Sequence, residues 1–219
     1  MNLGTIGPRL IRELASAMEN RHIATLDAPI TGGVGRARSG TLTTMAAGSQ
    51  STFDDVAPLI RHYSNKIVWL GAGLDGAQVM KLVNNAVSNA NLASACEALI
   101  VGAKAGLDPA AMLDIINSGS GQNSATLTMI PDDVLTGNFN FGASLGIIIK
   151  DLKAFLEAAE GLGIETHISQ VVLKSYLAAL ALVSESGDLT EVVRPMEIAA
   201  GIELRKVLES DLTAGGFRG

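Results

Sequence analysis

Residues 76–105 read GAQVMKLVNNAVSNANLASACEALIVGAKA, a run that contains no proline and whose one glycine after Gly76 comes late, at Gly102. At 1.5 Å per residue, a helix over this range would be about 45 Å long. Apolar residues recur on nearly every side of such a helix, and this pattern predicts a helix that is buried rather than exposed. We therefore expect a helical domain to be built around this segment.

Strand signals occur only before this helix, which predicts an α/β region over residues 1–70 and an all-helical region over residues 71–219. Short apolar or β-branched runs predict strands at residues 22–26, 41–47 and 67–70. Helical spacing and capping residues predict helices at residues 8–18, 51–62, 108–118, 146–161, 168–184 and 191–208. Residues 32–40 are expected to form a loop, because they are rich in glycine and arginine.

The amino-acid composition indicates which kinds of binding partner and which cellular compartment to expect. A net charge of −6 without a cluster of lysines and arginines argues against nucleic acid. Charged residues make up only 17% of the chain, so we expect a second subunit to cover part of the helical surface, as a homodimer or homotetramer. The single cysteine, Cys96, excludes an intrachain disulfide and fits a reducing compartment. With no signal peptide or membrane span in the sequence, a cytoplasmic protein is expected.

A glycine-rich loop follows the first predicted strand, at Asp27-Ala28-Pro29-Ile30-Thr31-Gly32-Gly33 and on to Gly40. The Thr31 hydroxyl and the amides of Gly32 and Gly33 could form a small cradle for an anion, and a substrate carboxylate would fit there. The alternative is an ordinary mobile loop, which such glycine patterns more often mark.

A polar stripe lies at the start of the long helix, where Gln78, Lys81, Asn85 and Ser88 recur at helical spacing. A lysine on a buried helix loses hydration, and this lowers its pKa toward the range that a general acid/base needs. Asn85 lies one turn further on and could orient Lys81 or a substrate without adding charge. The alternative is a lysine that buries its stem and keeps its ammonium group in water.

Two further sets of residues carry side chains that could take part in chemistry. The pair Lys150-Asp151 enters an apolar run and could point into a cleft, although such pairs more often mark a helix start and a solvated lysine. The three histidines are far apart in sequence and do not have the spacing of metal ligands. The chain has only one cysteine as a further soft ligand, so no metal site is predicted. The histidines are His22, His62 and His167.

Taken in order, these segments resemble the β-hydroxyacid dehydrogenase family, the group of 3-hydroxyisobutyrate dehydrogenase and tartronate semialdehyde reductase. The run from Asp27 to Gly33 resembles the family's substrate-binding motif, with Thr31 where the family usually has serine. The run Gln78-Val79-Met80-Lys81-Leu82-Val83-Asn84-Asn85 resembles its catalytic helix. Lys150-Asp151-Leu152 resembles the segment whose lysine lies near the cofactor, and Thr5-Ile6-Gly7-Pro8 resembles the turn that borders the nicotinamide.

The resemblance implies an enzyme that transfers a hydride between NAD or NADP and a small 3-hydroxy carboxylic acid. Lys81 would be the catalytic acid/base, and Thr31, Gly32, Gly33 and Asn85 would bind the substrate. Thr5 and Lys150 would lie at the cofactor. The implied fold class is an α/β remnant of a Rossmann-like dinucleotide-binding domain, followed by an all-α domain built around one long helix.

Family members begin with a βαβ unit that carries G-x-G-x-x-G, and this chain has no such motif in a first βα turn. About 85 to 90 residues of an ordinary domain of this class are therefore expected to be absent. One alternative is accordingly a non-catalytic truncated fragment or helical dimerisation module of the family. Another is an oxidative decarboxylase of the 6-phosphogluconate type, which would need a basic phosphate-binding cluster where only Arg36 and Arg38 are present.

Overall fold

The computed structural model describes residues 1–205, and these residues form two compact units that interleave along the chain. The first unit contains Met1–Ala86 and Asp151–Thr166, and the second contains Val87–Lys150 and the residues from His167 onward. The predicted fold class is confirmed, since a small sheet with helices is followed by a helical region. The domain boundary after residue 70 stays a prediction.

The first unit is built on a three-stranded sheet in the order β1-β2-β3. Its strands are β1 (Ile30–Thr31), β2 (Leu42–Ala46) and β3 (Ser64–Trp69), and its first three helices are α1 (Pro8–Glu19), α2 (Gly33–Arg38) and α3 (Gln50–Ile60). Strand β1 pairs with β2 in antiparallel register, with Thr31 opposite Thr43, and β2 pairs with β3 in parallel register. The segment that begins at Gly32 therefore starts beside β2, the central strand of the sheet.

Local signals account for several of these elements. Proline occupies the first turn of α1, where its missing N–H is not needed. The Ser49 hydroxyl caps α3 by accepting a hydrogen bond from the Thr52 amide at 3.2 Å. A buried core of Leu26, Ala28 and Ile60 then packs the chain before β1 against α3.

Two predictions in this unit are wrong. Residues 22–26 do not form a strand, because the chain completes a turn after α1 and His22 adopts a positive φ of 57°. Only isolated bridges follow, from Asp27 to Asn2 and to Ala47. Residues 32–40 are not simply a loop, since the chain turns at Gly32, with a φ of 133°, and enters helix α2.

The long helix α4 spans Asp75–Lys104, as predicted to within a residue at each end. The remaining elements are α5 (Pro109–Ser118), a π-helix (Ala125–Val134), α6 (Leu145–Gly161), α7 (His167–Leu180), a 3₁₀ helix (Leu189–Val193) and α8 (Arg194–Ala200). The π-helix was not predicted. A single helix over 191–208 is wrong, because the chain starts as 3₁₀ and α8 ends at Gly201, which has a φ of 64°. Positions 206–208 of that prediction lie outside the described residues.

Helix α4 is not buried on all sides, contrary to the prediction. Leu82, Cys96 and Leu99 are buried, but Val87 and Val101 are 57% and 66% exposed. Across residues 1–205, no helix combines the length and the apolar character that a membrane crossing requires.

Candidate active site

Thr31 and Asn84 meet in the first unit although 53 residues separate them. The Asn84 side-chain amide donates to the Thr31 hydroxyl oxygen at 3.3 Å, and it also donates to the Asn85 side-chain carbonyl at 3.2 Å. Because the Thr31 oxygen accepts from Asn84, its own proton can be directed at a bound anion. Thr31 is half-buried at the end of β1, and Gly32 and Gly33 follow it on the exposed surface.

The polar contacts continue from Asn85 to a buried carboxylate. The Asn85 amide donates to Asp151 Oδ2 at 2.7 Å, and Asp151 is only 3% exposed. Thr31, Asn84, Asn85 and Asp151 thus form one continuous row of hydrogen bonds, which we call the Thr31–Asp151 row. It joins β1, α4 and α6 within the first unit.

Lys81 lies on α4, one turn before Asn84 and Asn85, and it is half-buried. A helix rises 1.5 Å per residue, so the Lys81 backbone is about 5 Å along the axis from Asn84 and about 6 Å from Asn85. Its aliphatic stem therefore starts beside the amides of the Thr31–Asp151 row. A lysine and two amides on neighbouring turns can together hold a polar substrate and exchange a proton with it.

Thr5 lies in a turn that precedes α1, and Gln78 of α4 holds the backbone of this turn. The Gln78 side-chain oxygen accepts from the Ile6 and Gly7 amides, both at 2.9 Å, and its nitrogen donates to the Gly4 carbonyl at 3.0 Å. Gln78 is fully buried. Although it was placed in the predicted polar stripe with Lys81, its side chain is committed to this turn.

The same Gln78 amide reaches the head of the glycine-rich segment. It donates to both carboxylate oxygens of Asp27, at 2.9 and 3.0 Å, and Asn2 donates to Asp27 Oδ1 at 2.7 Å. Burial of the Asp27 side chain raises its pKa from 3.8 to about 6, although the hydrogen bonds from Asn2 and Gln78 act to lower it. We call Asn2, Asp27, Gln78 and the Gly4–Gly7 turn the Gln78 cluster.

Lys150, which was predicted to lie at the cofactor, is exposed and belongs to the second unit. The next residue, Asp151, is not among the predicted site residues, yet its carboxylate accepts a hydrogen bond from Asn85. Asn84, which donates to Thr31, is likewise not among the predicted site residues. A signal existed for Asp151, since a carboxylate beside the apolar run Ile147–Ile149 needs a hydrogen-bond partner when it is buried.

Two family models match the chain. Residues 1–71 match the NAD-binding domain of 6-phosphogluconate dehydrogenase, and residues 76–196 match the NAD-binding model of NADP-dependent 3-hydroxyisobutyrate dehydrogenase. The fold and these matches define the class as NAD(P)-dependent dehydrogenases. Because the second match alone covers more than half of the chain, the family is also defined: the chain belongs to the β-hydroxyacid dehydrogenase family.

Individual relatives agree with this assignment. The 2-(hydroxymethyl)glutarate dehydrogenase of Eubacterium barkeri is 26% identical over 93% of this chain and 67% of its own length. The 3-hydroxyisobutyrate dehydrogenase of Pseudomonas aeruginosa is 32% identical over 77% of this chain and 58% of its own length. The chain thus spans about two thirds or less of these relatives.

Among solved structures, the 3-hydroxyisobutyrate dehydrogenase of Mycobacterium tuberculosis with L-serine is 26% identical. Its TM-score is 0.77, with coverage of 89% of this chain and 68% of that one.

Proposed function

We propose that the chain acts in an NAD(P)-dependent oxidoreductase whose substrate is a small 3-hydroxy carboxylic acid and whose general acid/base is Lys81. The observation that carries the proposal is the Thr31–Asp151 row. It joins the hydroxyl of Thr31 to amides on α4 within two turns of a half-buried lysine. Membership of the β-hydroxyacid dehydrogenase family supports the reaction class.

In this proposal the substrate carboxylate binds the Thr31 hydroxyl and the amides of Gly32 and Gly33. The Asn85 oxygen accepts from Asn84 and its nitrogen donates to Asp151, so the Asn85 side chain has one orientation in which to meet the substrate. Lys81 Nζ removes the proton of the β-hydroxyl during oxidation and returns it in the reverse direction. Asp151, through Asn85, is a positioning residue.

The residues present fit the nicotinamide part of a cofactor site. Thr5 lies in a turn whose backbone the buried Gln78 fixes, and this turn belongs to the same unit as Lys81 and Thr31. NAD or NADP, when bound, would accept or supply the hydride. A cofactor role for Lys150, which belongs to the second unit, stays a prediction.

The test is a turnover assay of the chain with NAD⁺ and with NADP⁺, followed by the absorbance of the reduced nicotinamide. The substrates are 3-hydroxyisobutyrate, L-threonate and 2-(hydroxymethyl)glutarate, which are the acids that relatives of this chain are named for. We expect Lys81→Ala to lower kcat/KM by about 10² to 10⁴, the usual contribution of a positioned acid/base. Lys81→Arg should lose as much, because a guanidinium does not give up its proton at working pH.

The matched control is Lys66→Ala, which removes an exposed lysine of β3 in the same unit and should leave turnover unchanged. Near-normal turnover in Lys81→Ala would contradict the role of Lys81. Calorimetric titration with NADH and NADPH adds a second criterion. A wild-type chain that neither binds a cofactor nor turns over any of these acids would contradict the proposal for this chain.

A second candidate is a non-catalytic helical module that assembles with copies of itself. The exposed apolar side chains of α4 favour it, above all Val87 and Val101. We expect sedimentation to show a homo-oligomer that Val87→Glu or Val101→Glu dissociates. Self-association and turnover are compatible, so the module becomes the better description only if assembly is found without cofactor binding. For both candidate functions we propose a cytoplasmic location.

A further inference from the structure

Gln78 makes more side-chain hydrogen bonds than the catalytic mechanism above uses. Its oxygen accepts two amides, from Ile6 and Gly7, and its nitrogen serves the Gly4 carbonyl and the Asp27 carboxylate. An amide side chain has two donors and two acceptor sites, so Gln78 is fully satisfied. Groups that are 51 to 74 residues away in sequence thus converge on one buried side chain.

The turn that Gln78 holds has a backbone conformation that needs support. Gly7 has φ 86° and ψ 159°, a combination that essentially only glycine adopts. Its amide and that of Ile6 have the Gln78 oxygen as acceptor instead of a strand or helix partner. The position of this turn therefore depends on a side chain of α4 that is three residues, less than one helical turn, before Lys81.

We propose that Gln78 is a positioning residue that fixes the Thr5 turn and the Asp27 end of the glycine-rich segment to the start of the Lys81 helix. The proposal rests on the function proposed above for the part that concerns the cofactor. In this scheme the Thr5 turn borders the nicotinamide and Lys81 lies at the substrate. Gln78 would therefore hold the distance between the turn and Lys81 constant. Gln78 itself contacts neither substrate nor cofactor in this scheme.

Hydrogen exchange at the Ile6 and Gly7 amides tests the positioning role directly, because Gln78 is their acceptor. In Gln78→Asn the side chain is one methylene shorter and stays polar, which favours folding, but it cannot reach both the turn and Asp27. We expect amide protection at Ile6 and Gly7 to fall by at least ~10-fold, a loss of about 1.4 kcal/mol. Gln78→Glu would place a carboxylate oxygen where the amide nitrogen donates to Gly4 and Asp27, so we expect protection to fall in this variant as well.

Two internal references show whether the unit stays folded. The Asp27 amide bonds to the Ala47 carbonyl and the Ala28 amide to the Asn2 carbonyl, so both should remain protected in Gln78→Asn. The matched control is Gln50→Asn, which alters an exposed glutamine whose side-chain amide donates to Asp54. Wild-type protection of Ile6 and Gly7 in Gln78→Asn would overturn the proposal.

A kinetic measurement adds the catalytic consequence. With a 3-hydroxy acid that the wild-type chain oxidises, Gln78→Asn should raise the cofactor KM about 10-fold and change the KM of the acid by less than about 2-fold. The opposite pattern would overturn the link to the cofactor turn. The two failures are distinguishable: a wild-type chain without turnover refutes the proposed function, whereas the exchange of Ile6 and Gly7 still decides the role of Gln78.

Discussion

At neutral pH, replacing Asp27 by asparagine should raise the free energy of unfolding of the first unit above that of wild type. This difference between the variant and wild type should shrink as the pH falls. Asp27 is fully buried, and its hydrogen-bond partners, Asn2 and Gln78, are neutral amides. Burial raises the pKa of Asp27 from 3.8 to about 6. Ionisation of this carboxyl at pH 7 is therefore a cost to the folded state, which asparagine avoids.

The size of the effect follows from the two pKa values. Each factor of ten in an ionisation constant corresponds to roughly 1.4 kcal/mol, so a rise from 3.8 to about 6 corresponds to about 3 kcal/mol. Below pH 3.8 the carboxyl is neutral in the folded and the unfolded chain, and this cost is absent. As the pH rises from 3.8 through about 6 the unfolded chain ionises first, and the wild type loses stability.

Asparagine also places an NH₂ group where a carboxylate oxygen accepted from Gln78. That lost bond costs about 1 to 2 kcal/mol at every pH. It cancels when the difference between variant and wild type at one pH is compared with the same difference at another. We therefore expect the free energy of unfolding of Asp27→Asn, relative to wild type, to rise by about 3 kcal/mol between pH 3.5 and pH 7.5.

Urea unfolding followed by the fluorescence of Trp69 is the suitable assay. Trp69 is the single tryptophan of the chain and lies in β3, so its signal reports the unit that contains Asp27. Asp55→Asn, which removes an exposed carboxyl of α3, controls for the change in net charge. A difference between Asp27→Asn and wild type that stays constant to within about 0.5 kcal/mol over this pH range would refute the reasoning.

Three further outcomes are expected. Thr31→Val removes the hydroxyl that meets the carboxylate of a hydroxy acid, and it should raise the KM of that acid at least about 10-fold. Thr31→Ser keeps a hydroxyl and should have a KM close to that of wild type. Equal KM values in the two variants would argue against that contact. Gly32→Ala should lower the free energy of unfolding by about 1 to 3 kcal/mol, because φ is 133° and a Cβ would lie 2.8 Å from Arg36 Cδ. Gly35→Ala, with nothing within 4 Å, is its control. Cys96, whose pKa burial raises to about 12, should react with a thiol reagent only after unfolding, and rapid reaction in the native chain would contradict its burial.

Much of the helical architecture could be predicted from sequence because its causes are local. The absence of proline over the long run predicted α4, and Pro8 marked the start of α1. Asp108 followed by Pro109 marked the start of α5, where the Asp108 carboxylate accepts from the amides of Ala110 and Ala111. Each of these signals acts within one or two helical turns, so a reading along the chain detects it.

The elements that were predicted wrongly depend on contacts with segments that are distant in sequence, and local sequence patterns do not reveal these contacts. The apolar run at 22–26 would suit a strand, but His22 closes the turn after α1 and only Asp27 reaches a bridging position. The glycines after Thr31 suggested a loop, although one glycine at the turn is enough for α2 to begin.

The candidate site divides in the same way. The residue types at Thr31, Lys81 and Asn85 and their resemblance to the family could be read from sequence, and their roles stay proposals. The tertiary structure decided that Asn84 meets Thr31, that Asp151 meets Asn85, and that Gln78 holds the Gly4–Gly7 turn. Helical spacing fixes which residues share a face, but the partner of a buried polar group is chosen by whichever distant segment folds against it.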